Sequence, residues 1–492
     1  MSVKALARAP SSTAGWTAIV GLVALAFMQA VALYRENVNH MLLVISVVMA
    51  IYAGFLLRRE YRRYELVSPL ALYSFLVILH FALPGLLLSF GHIQFVDQDN
   101  FGTVGDAQIF VLVGFTFFHL GYATASRETH RIEILGKGLS VPWNSGRVMF
   151  VMLAFLTFGW LDRAYIVIQD AYFQLSRTTL GGLDESFHAV LRLGEQLPAY
   201  AMLIAWIWFW SKGSRRFSRW WWSGFTLWIA ELVYWIPTGR KENVILTLIL
   251  PIMIRYLFTR RLPSLRTGLA TAVFILALFP AAYYYRLAME LGRFDSFAET
   301  IFSSANVIKE MSAEDVPEPL GVIVSRLSLL ESVSASLRIV DSGVWQPLAG
   351  ETYAWTVYSV VPRVFWAHKP GFHYGTAFGH AAGFIPETDE QTSISVTYFG
   401  EAYLNFMWLG VLVMFFIGII FSLIYKRIFQ SRFHTTWILL YAVTLPVILY
   451  VGGSFALYFS GLLQLLVILG VVGQFMSGKL LMSKTSRQGE PA

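Results

Sequence analysis

The chain has no cysteine among its 492 residues. This excludes disulfide bonds, thiolate nucleophiles and cysteine metal ligands, so a large loop outside a membrane must be held by packing alone. Charged residues are also scarce, at 14% of the chain, whereas 56% are hydrophobic and 16% aromatic. The surface of one soluble domain cannot cover that much apolar material. The composition therefore predicts a polytopic membrane protein.

Apolar runs recur along the chain, each long enough for an α-helix to cross the hydrocarbon core, which takes about 20 residues. The first run follows Lys4 and Arg8, as in a signal peptide, but it is too long and has no small-residue cleavage site. We predict about twelve membrane spans, at residues 14–34, 40–57, 67–90, 107–125, 146–168, 196–211, 220–236, 243–258, 267–286, 404–425, 434–451 and 454–476. The predicted fold is thus an all-α membrane domain over residues 1–492, with a large loop at 287–404 between the ninth and tenth spans.

The formal net charge of +7 follows from basic clusters in short connections between the apolar runs. These clusters lie at residues 58–63, 212–219, 260–261, 426–432 and 479–487. All of them fall on one side of the membrane if the N-terminus is cytoplasmic, as the positive-inside rule requires. We therefore predict that both termini are cytoplasmic, and we assign the basic excess to topology rather than to nucleic-acid binding.

The 287–404 loop then lies on the outer side and contains two apolar patterns of helical spacing. One runs through Leu320, Ile323, Leu327, Leu330, Val333, Leu337 and Val340, and the other through Phe297, Ile301, Ile308 and Met311. Apolar residues three and four apart predict amphipathic helices. Such helices lie on a membrane surface or pack as a lid on the spans.

A very short outer connection, residues 235–243, reads WIPTGRKEN and places Arg240 and Lys241 side by side. Pro237 and Gly239 end one helix, and the amides that begin the next helix add positive potential. Arginine binds phosphate oxygens in a bidentate way and lysine acts as a point charge. The turn is therefore a candidate phosphate or diphosphate site. The alternative is that both side chains extend to lipid headgroups.

Two further stretches carry titratable groups near the outer side. Residues 361–370 read VPRVFWAHKP and present Arg363 and Lys369 among aromatic side chains, an arrangement that suits sugars and phosphates but also occurs in an aromatic belt at the membrane interface. Residues 397–403 read TYFGEAY and place Glu401 where the tenth span begins. A carboxylate there is costly unless it pairs with cations or accepts a proton.

The turn at Gly239-Arg240, the segment 362–366 followed by Lys369-Pro370, and the segment 400–403 together resemble the Wzy-type oligosaccharide repeat-unit polymerases. The likeness covers roughly the second half of the chain. It implies a GT-C-like helical bundle in the bacterial inner membrane with a periplasmic active site. The substrates implied are undecaprenyl-diphosphate-linked oligosaccharides, of which one donates the growing glycan and the other accepts it, and a co-polymerase that sets chain length is a further implied partner.

The resemblance also implies roles for individual residues. Arg240, Lys241 and Arg363 are assigned to the diphosphate, and Arg286 and Lys369 are secondary candidates. Glu401 is the first choice for the base that deprotonates the acceptor hydroxyl, and His373 is the second. The catalytic set is thus Glu401, Arg240, Arg363 and His373. A structural role for Glu401, as partner of an arginine, is the open alternative.

We expect no metal or other cofactor, because the cations named above can neutralise a diphosphate. Asp97 and Asp99 form an Asp-x-Asp pair that is a weak alternative for a divalent cation.

Two other functions remain open. A ligase that transfers finished glycan to a lipid core would use the same donor. A flippase needs charges along a pathway at mid-membrane, whereas most of the predicted spans carry no charge at their centres. Asp162 and Arg163, near the outer end of the fifth span, and Glu231 within the seventh are exceptions, and an ion pair or a buried hydrogen bond also explains these three.

Overall fold

The structure is a computed structural model that describes residues 37–92, 98–127, 143–168, 185–213, 217–238, 240–277, 323, 327–359, 361, 366, 374–389, 392–430 and 435–478. Within these ranges the regular elements are all helical. The helices are α1 Val38–Arg62, α2 Pro69–Ser89 with a π-helical turn at Ile78–Ala82, α3 Val104–Arg127, α4 Ser145–Ile168, α5 Glu185–Ser211, α6 Arg219–Trp235, α7 Lys241–Thr259, α8 Leu265–Ala277, α9 Leu330–Asp341, α10 Glu351–Ser359, α11 Tyr374–Ala381, α12 Tyr398–Phe406, α13 Val411–Gln430, α14 Thr435–Leu449 and α15 Phe455–Ser477. Short 3₁₀ turns at Gln98–Thr103 and Met407–Gly410 precede α3 and α13.

Seven described segments are long and apolar enough to cross a membrane, judged by length and composition. They are Val38–Arg62, Pro69–Ser89, Asp99–Ser126, Ser145–Ile168, Lys241–Thr259, Tyr398–Lys426 and Phe455–Ser477. The prediction of a multi-pass α-helical membrane protein is therefore confirmed. Helices α5, α6, α8 and α14 coincide with four more predicted spans, and the first predicted span, residues 14–34, lies outside the described residues. The number twelve stays a prediction.

Helices α3 and α13 pack against each other along most of their length. A side chain at Gly121 would collide with the carbonyl of Phe415, and one at Gly418 would collide with the carbonyl of Phe118. Small residues allow this close approach between membrane helices, where packing and hydrogen bonds replace the hydrophobic effect as the force between them. Both helices contribute buried side chains to the main hydrophobic core.

The chain reverses direction where the sequence predicts the start of the tenth span. Phe399 in α12 and Met414 in α13 both lie beside Gly114 of α3. Tyr403 and Trp408 lie between Phe399 and Met414 along the chain, and both contact Phe110, which is one helical turn nearer the start of α3 than Gly114. Their ring centres are 5.2 and 5.6 Å from the ring centre of Phe110. Helix α12 therefore runs antiparallel to α13. The reversal occurs at Met407, which has a left-handed φ of 51°, so the span predicted at 404–425 corresponds mainly to α13, and its first three residues belong to α12.

The second half of the first amphipathic helix predicted in the 287–404 loop is present as α9, with Leu330, Val333, Leu337 and Val340 buried, whereas Leu320 lies outside the described residues. Its Arg338 donates from Nε to Asn100 Oδ1 at 2.8 Å, which ties it to the 3₁₀ turn before α3. The second predicted helix, at residues 297–311, lies outside the described residues. Helix α9 thus packs onto the membrane helices near the start of α3.

Candidate functional site

A buried ion pair joins helices α4 and α6 near the end of the bundle where both helices finish. Arg163 donates from Nη1 to Glu231 Oε1 at 2.7 Å and from Nη2 to Oε2 at 2.9 Å. Both side chains are only 1% exposed. The third contact runs from Arg163 Nε to the main-chain oxygen of Glu195 in α5, at 3.0 Å. One guanidinium therefore fixes three helices relative to each other.

Aromatic rings enclose this ion pair. The guanidinium carbon of Arg163 lies 3.9 Å from the ring centre of Tyr234, 5.0 Å from that of Trp160 and 5.3 Å from that of Trp235. Trp235 also donates from its indole nitrogen to Glu231 Oε2 at 2.9 Å. The faces of these rings attract the cation while excluding water, so the pair is satisfied within the protein.

A second ion pair lies next to the first and is less enclosed. Glu195 is 2% exposed, and its Oε1 accepts from the Tyr234 hydroxyl at 3.0 Å. Arg240 donates from Nη1 to both carboxylate oxygens of Glu195, at 3.2 and 3.1 Å, while its side chain stays 20% exposed. Among the described residues, Nε and Nη2 of Arg240 have no hydrogen-bond partner. Within the described part of the chain, Arg240 is thus held at one nitrogen by Glu195, and its other donors have no protein partner there.

Arg240 also stands at the start of α7, where it is the N-cap residue. Its main-chain nitrogen donates to Thr238 Oγ1 at 3.1 Å, and its carbonyl accepts from Asn243 N at 3.1 Å. No side chain that the structure describes caps this helix. The first-turn amides therefore contribute the positive potential of a helix N-terminus beside the guanidinium.

Arg192 brings a second guanidinium close to Arg240. It lies in the first two turns of α5, before the apolar part of that helix. The pKa of Arg192 is lowered, first by burial and then by the positive charge of Arg240, while the carboxylate of Glu195 acts in the opposite direction. Glu195 thus lies near two guanidinium groups beside a helix N-terminus, where negative charge is favoured. The cluster formed by Arg192, Glu195, Arg240 and the start of α7 is called the cation cluster below.

Glu401 lies elsewhere, in the interior. It is 2% exposed, and its Oε1 accepts from Ser454 Oγ at 2.9 Å while Oε2 accepts from Ala456 N at 3.2 Å. These are the contacts of a carboxylate that caps a helix, here the start of α15. The expected alternative partner for Glu401 was an arginine, whereas its partners are a hydroxyl and a main-chain amide. These contacts favour the role of a helix cap, and they do not test the predicted role of acceptor base.

The connection between α14 and α15 links Glu401 to the cation cluster. Tyr450 at the end of α14 donates from its hydroxyl to Glu242 Oε1 at 3.1 Å, and Glu242 follows Arg240 by two residues. Ser454, four residues after Tyr450, holds Glu401. No hydrogen bond or ion pair joins Arg240 to Glu401 directly within the described part of the chain. The two predicted groups therefore belong to one end of the fold without touching.

The other predicted site residues are placed as follows. Lys241 is half-buried in the first turn of α7. Asp99 is exposed in the 3₁₀ turn before α3, and no group of three or more acidic or histidine side chains suited to a metal occurs among the described residues. The remaining predicted residues lie outside the described residues: Asp97, Arg286, Arg363, Lys369 and His373.

The sequence analysis missed Arg192, Glu195 and Tyr234. Arg192 and Glu195 are three residues apart just before an apolar run, so they share a helix face once the helix is known to begin at Glu185. We had placed the span at 196–211, which left both residues in a connection. Charged residues within one turn of a predicted span were the available signal.

No protein-family model, no curated protein and no solved structure matches the chain.

Proposed function

We propose that the chain polymerises oligosaccharide repeat units carried on undecaprenyl diphosphate, at the periplasmic face of a bacterial inner membrane. The observation that carries this proposal is the cation cluster. In it, the buried Glu195 fixes Arg240 at one nitrogen, while Arg192 and the start of α7 add positive charge around the donors that remain. A diphosphate offers several anionic oxygens and matches a site with more than one positive group.

The surroundings of the cluster support a lipid-bound anion. The cluster lies at the ends of four helices, and α4 and α7 are among the segments apolar and long enough to span a membrane. A diphosphate attached to a membrane lipid is confined to that depth. The proposed substrate therefore approaches within the membrane plane, with its glycan on the side where α9 lies.

In the proposed reaction the bond between the anomeric carbon of the growing glycan and a diphosphate oxygen breaks. A bond forms between that carbon and a hydroxyl oxygen at the non-reducing end of the incoming repeat unit. The hydroxyl proton passes to a base, and undecaprenyl diphosphate leaves with the extra negative charge. Arg240 stabilises that charge as it develops, which is usually the largest catalytic contribution of a site.

The proposal assigns supporting roles to the other predicted residues. Lys241, Arg286, Arg363 and Lys369 are proposed to hold the second phosphate, and His373 is a proposed base. The pair formed by Arg163 and Glu231 positions α5 and α6, and hence Glu195. These buried charges are paired with each other rather than exposed to a pathway, which favours a fixed site over the transport pathway of a flippase.

Glu401→Gln separates the two roles of Glu401. As a helix cap, a glutamine still accepts from Ser454 or Ala456, so we expect the glycan length distribution to persist. We expect stability to fall by no more than about 2 kcal/mol, the value of a charge at a partly buried helix end. A base would lose about 10²- to 10⁴-fold in activity. Glycan gels measure the length distribution, and thermal unfolding measures the stability of the same variant. A variant that loses the ladder of glycan lengths but keeps its stability would contradict a purely structural role of Glu401.

The proposed function is tested by deleting the gene in cells that display the glycan and restoring it on a plasmid. We expect the deletion to leave single repeat units on the final acceptor, because export and ligation are intact, and the restored gene to return the ladder of lengths. A deletion that leaves no repeat on the acceptor would favour a ligase or flippase. A full ladder in the deletion strain, with no second copy present, would contradict the proposal.

A further inference from the structure

Helix α10, in the predicted outer loop, carries an exposed apolar surface. Val357 is 70% exposed and Tyr358 44% exposed. Two residues that follow the helix, Val361 and Trp366, are 40% and 37% exposed. The ring centres of Tyr358 and Trp366 lie 6.0 Å apart, so these two side chains adjoin, and Val357 and Val361 are within a few residues of Tyr358 along the chain. A loop helix in water would expose polar residues there.

The helix lies beside α15 and runs in the same direction. The Tyr353 ring is 6.5 Å from that of Phe455, the first residue of α15. One turn later, Thr356 donates from Oγ1 to the carbonyl of Ala456 at 3.4 Å. At the end of α10, the carbonyl of Ser359 accepts from Gln464 Nε2. Successive residues of α10 therefore contact positions progressively further along α15.

These contacts place the end of α10 at membrane depth. Helix α15 has 23 residues and is among the segments able to cross a membrane, and at about 1.5 Å per residue it is about 34 Å long. Gln464 follows the first residue of α15 by nine positions, or about 13 Å along the axis. A hydrocarbon core is about 30 Å thick. Ser359 therefore lies well inside the apolar layer rather than at its edge.

The bond from Gln464 has a physical reason at this depth. The last carbonyls of a helix have no partner within the helix, and in hydrocarbon an unpaired carbonyl is strongly unfavourable because no water can bind it. Gln464 is the one strongly polar side chain between residues 461 and 473 of α15, and its amide reaches the carbonyl of Ser359 at the end of α10. Exposed residues further along α15, Val467 and Val471, are apolar, as a lipid-facing surface requires.

We propose that α10 is a re-entrant helix whose Val357, Tyr358, Val361 and Trp366 contact the acyl chains of the bilayer. The helix is bonded to α15, which also exposes apolar side chains at Val467 and Val471. This inference does not depend on the proposed catalytic function. It changes the topology expected from the sequence, in which residues 287–404 all lie outside the membrane.

The absence of native cysteine makes the test direct, because Val357→Cys introduces the only thiol of the chain. The protein is reconstituted into liposomes and treated with a charged, membrane-impermeant maleimide. Ser342→Cys, in the exposed turn after α9, is the aqueous control, and Val467→Cys on α15 is the lipid control. We expect the thiol at position 357 to react about tenfold or more slowly than the one at 342, because the reactive thiolate forms poorly in hydrocarbon.

Slow labelling alone would also result from cover by another protein segment, so the same variants are spin-labelled. Lipid contact predicts that oxygen, which concentrates in the bilayer, relaxes the label at 357 as strongly as the label at 467, while a water-soluble nickel chelate does not. Tyr358→Cys repeats the measurement on a second residue. Labelling at 357 as fast as at 342 would overturn the proposal, and so would a label that neither relaxation agent reaches.

Discussion

Replacing Glu231 by alanine is expected to destabilise the protein by about 3–5 kcal/mol, the cost of removing one partner from a buried ion pair. In the unchanged protein the Arg163 side chain is 1% exposed and donates to two carboxylate oxygens of Glu231 at 2.7 and 2.9 Å. The variant removes both of these acceptors. It also removes the acceptor of the Trp235 indole nitrogen. Thermal unfolding of the purified protein in detergent, with size-exclusion profiles, measures the effect.

Two matched variants show whether the cost arises from the unpaired charge. The double replacement Arg163→Met with Glu231→Leu removes both charges and keeps the volume, so we expect it to recover most of the lost stability. Glu242→Ala, at an exposed carboxylate of the same end of the bundle, is expected to cost far less. A Glu231→Ala protein as stable as the unchanged protein would contradict the account of these helix ends.

Replacing Arg240 by alanine is expected to weaken binding of undecaprenyl diphosphate by roughly 10- to 150-fold. Hydrogen bonds to charged groups contribute about 1.5–3 kcal/mol, and every 1.4 kcal/mol corresponds to about tenfold in affinity. Arg240→Lys keeps the positive charge but loses the planar set of donors that binds phosphate in a bidentate way, so we expect an intermediate affinity. Titration of the purified protein in micelles, monitored by its intrinsic tryptophan fluorescence, gives the constants.

The controls for this titration use both the ligand and the protein. Undecaprenyl monophosphate carries the same chain with fewer anionic oxygens, so the unchanged protein should bind it more weakly. Arg261→Ala removes an exposed cation just beyond the other end of α7 and should leave the affinity unchanged. Thermal unfolding confirms that the Arg240 variants are folded despite the change beside Glu195. Equal affinities of the unchanged and Arg240→Ala proteins for the diphosphate would exclude Arg240 from the site.

Local patterns in the sequence predicted much of the helical structure. The apolar spacing through Leu330, Val333, Leu337 and Val340 predicted α9, and the uninterrupted apolar runs predicted α3 and α4 within a few residues. Periodicity and run length report the environment of a segment directly. They do not report where a segment turns back: the run through Met407 is continuous in hydropathy, so the reversal between α12 and α13 was not predicted.

The candidate site was predicted only in part, because its partners are distant in the sequence. Arg240 was identified from its short turn, but Glu195 lies 45 positions away, and Arg163 and Glu231 are 68 positions apart. Charge spacing within one segment gives no information about such pairs. The partners of Glu401 are also distant in the sequence, since Ser454 and Ala456 follow it by 53 and 55 residues. Its contacts as a helix cap were therefore not predicted.

The central claim is most directly tested by reconstituting the purified protein alone in liposomes that contain lipid-linked single repeat units, extracted from cells that lack the gene. The lipid-linked products are then separated by length and weighed by mass spectrometry. We expect a series of glycans of two or more repeats on the lipid carrier, together with free undecaprenyl diphosphate, and we expect Arg240→Ala in the same liposomes to yield single repeats only. Single repeats from the unchanged protein, with no diphosphate released, would contradict polymerisation by this chain.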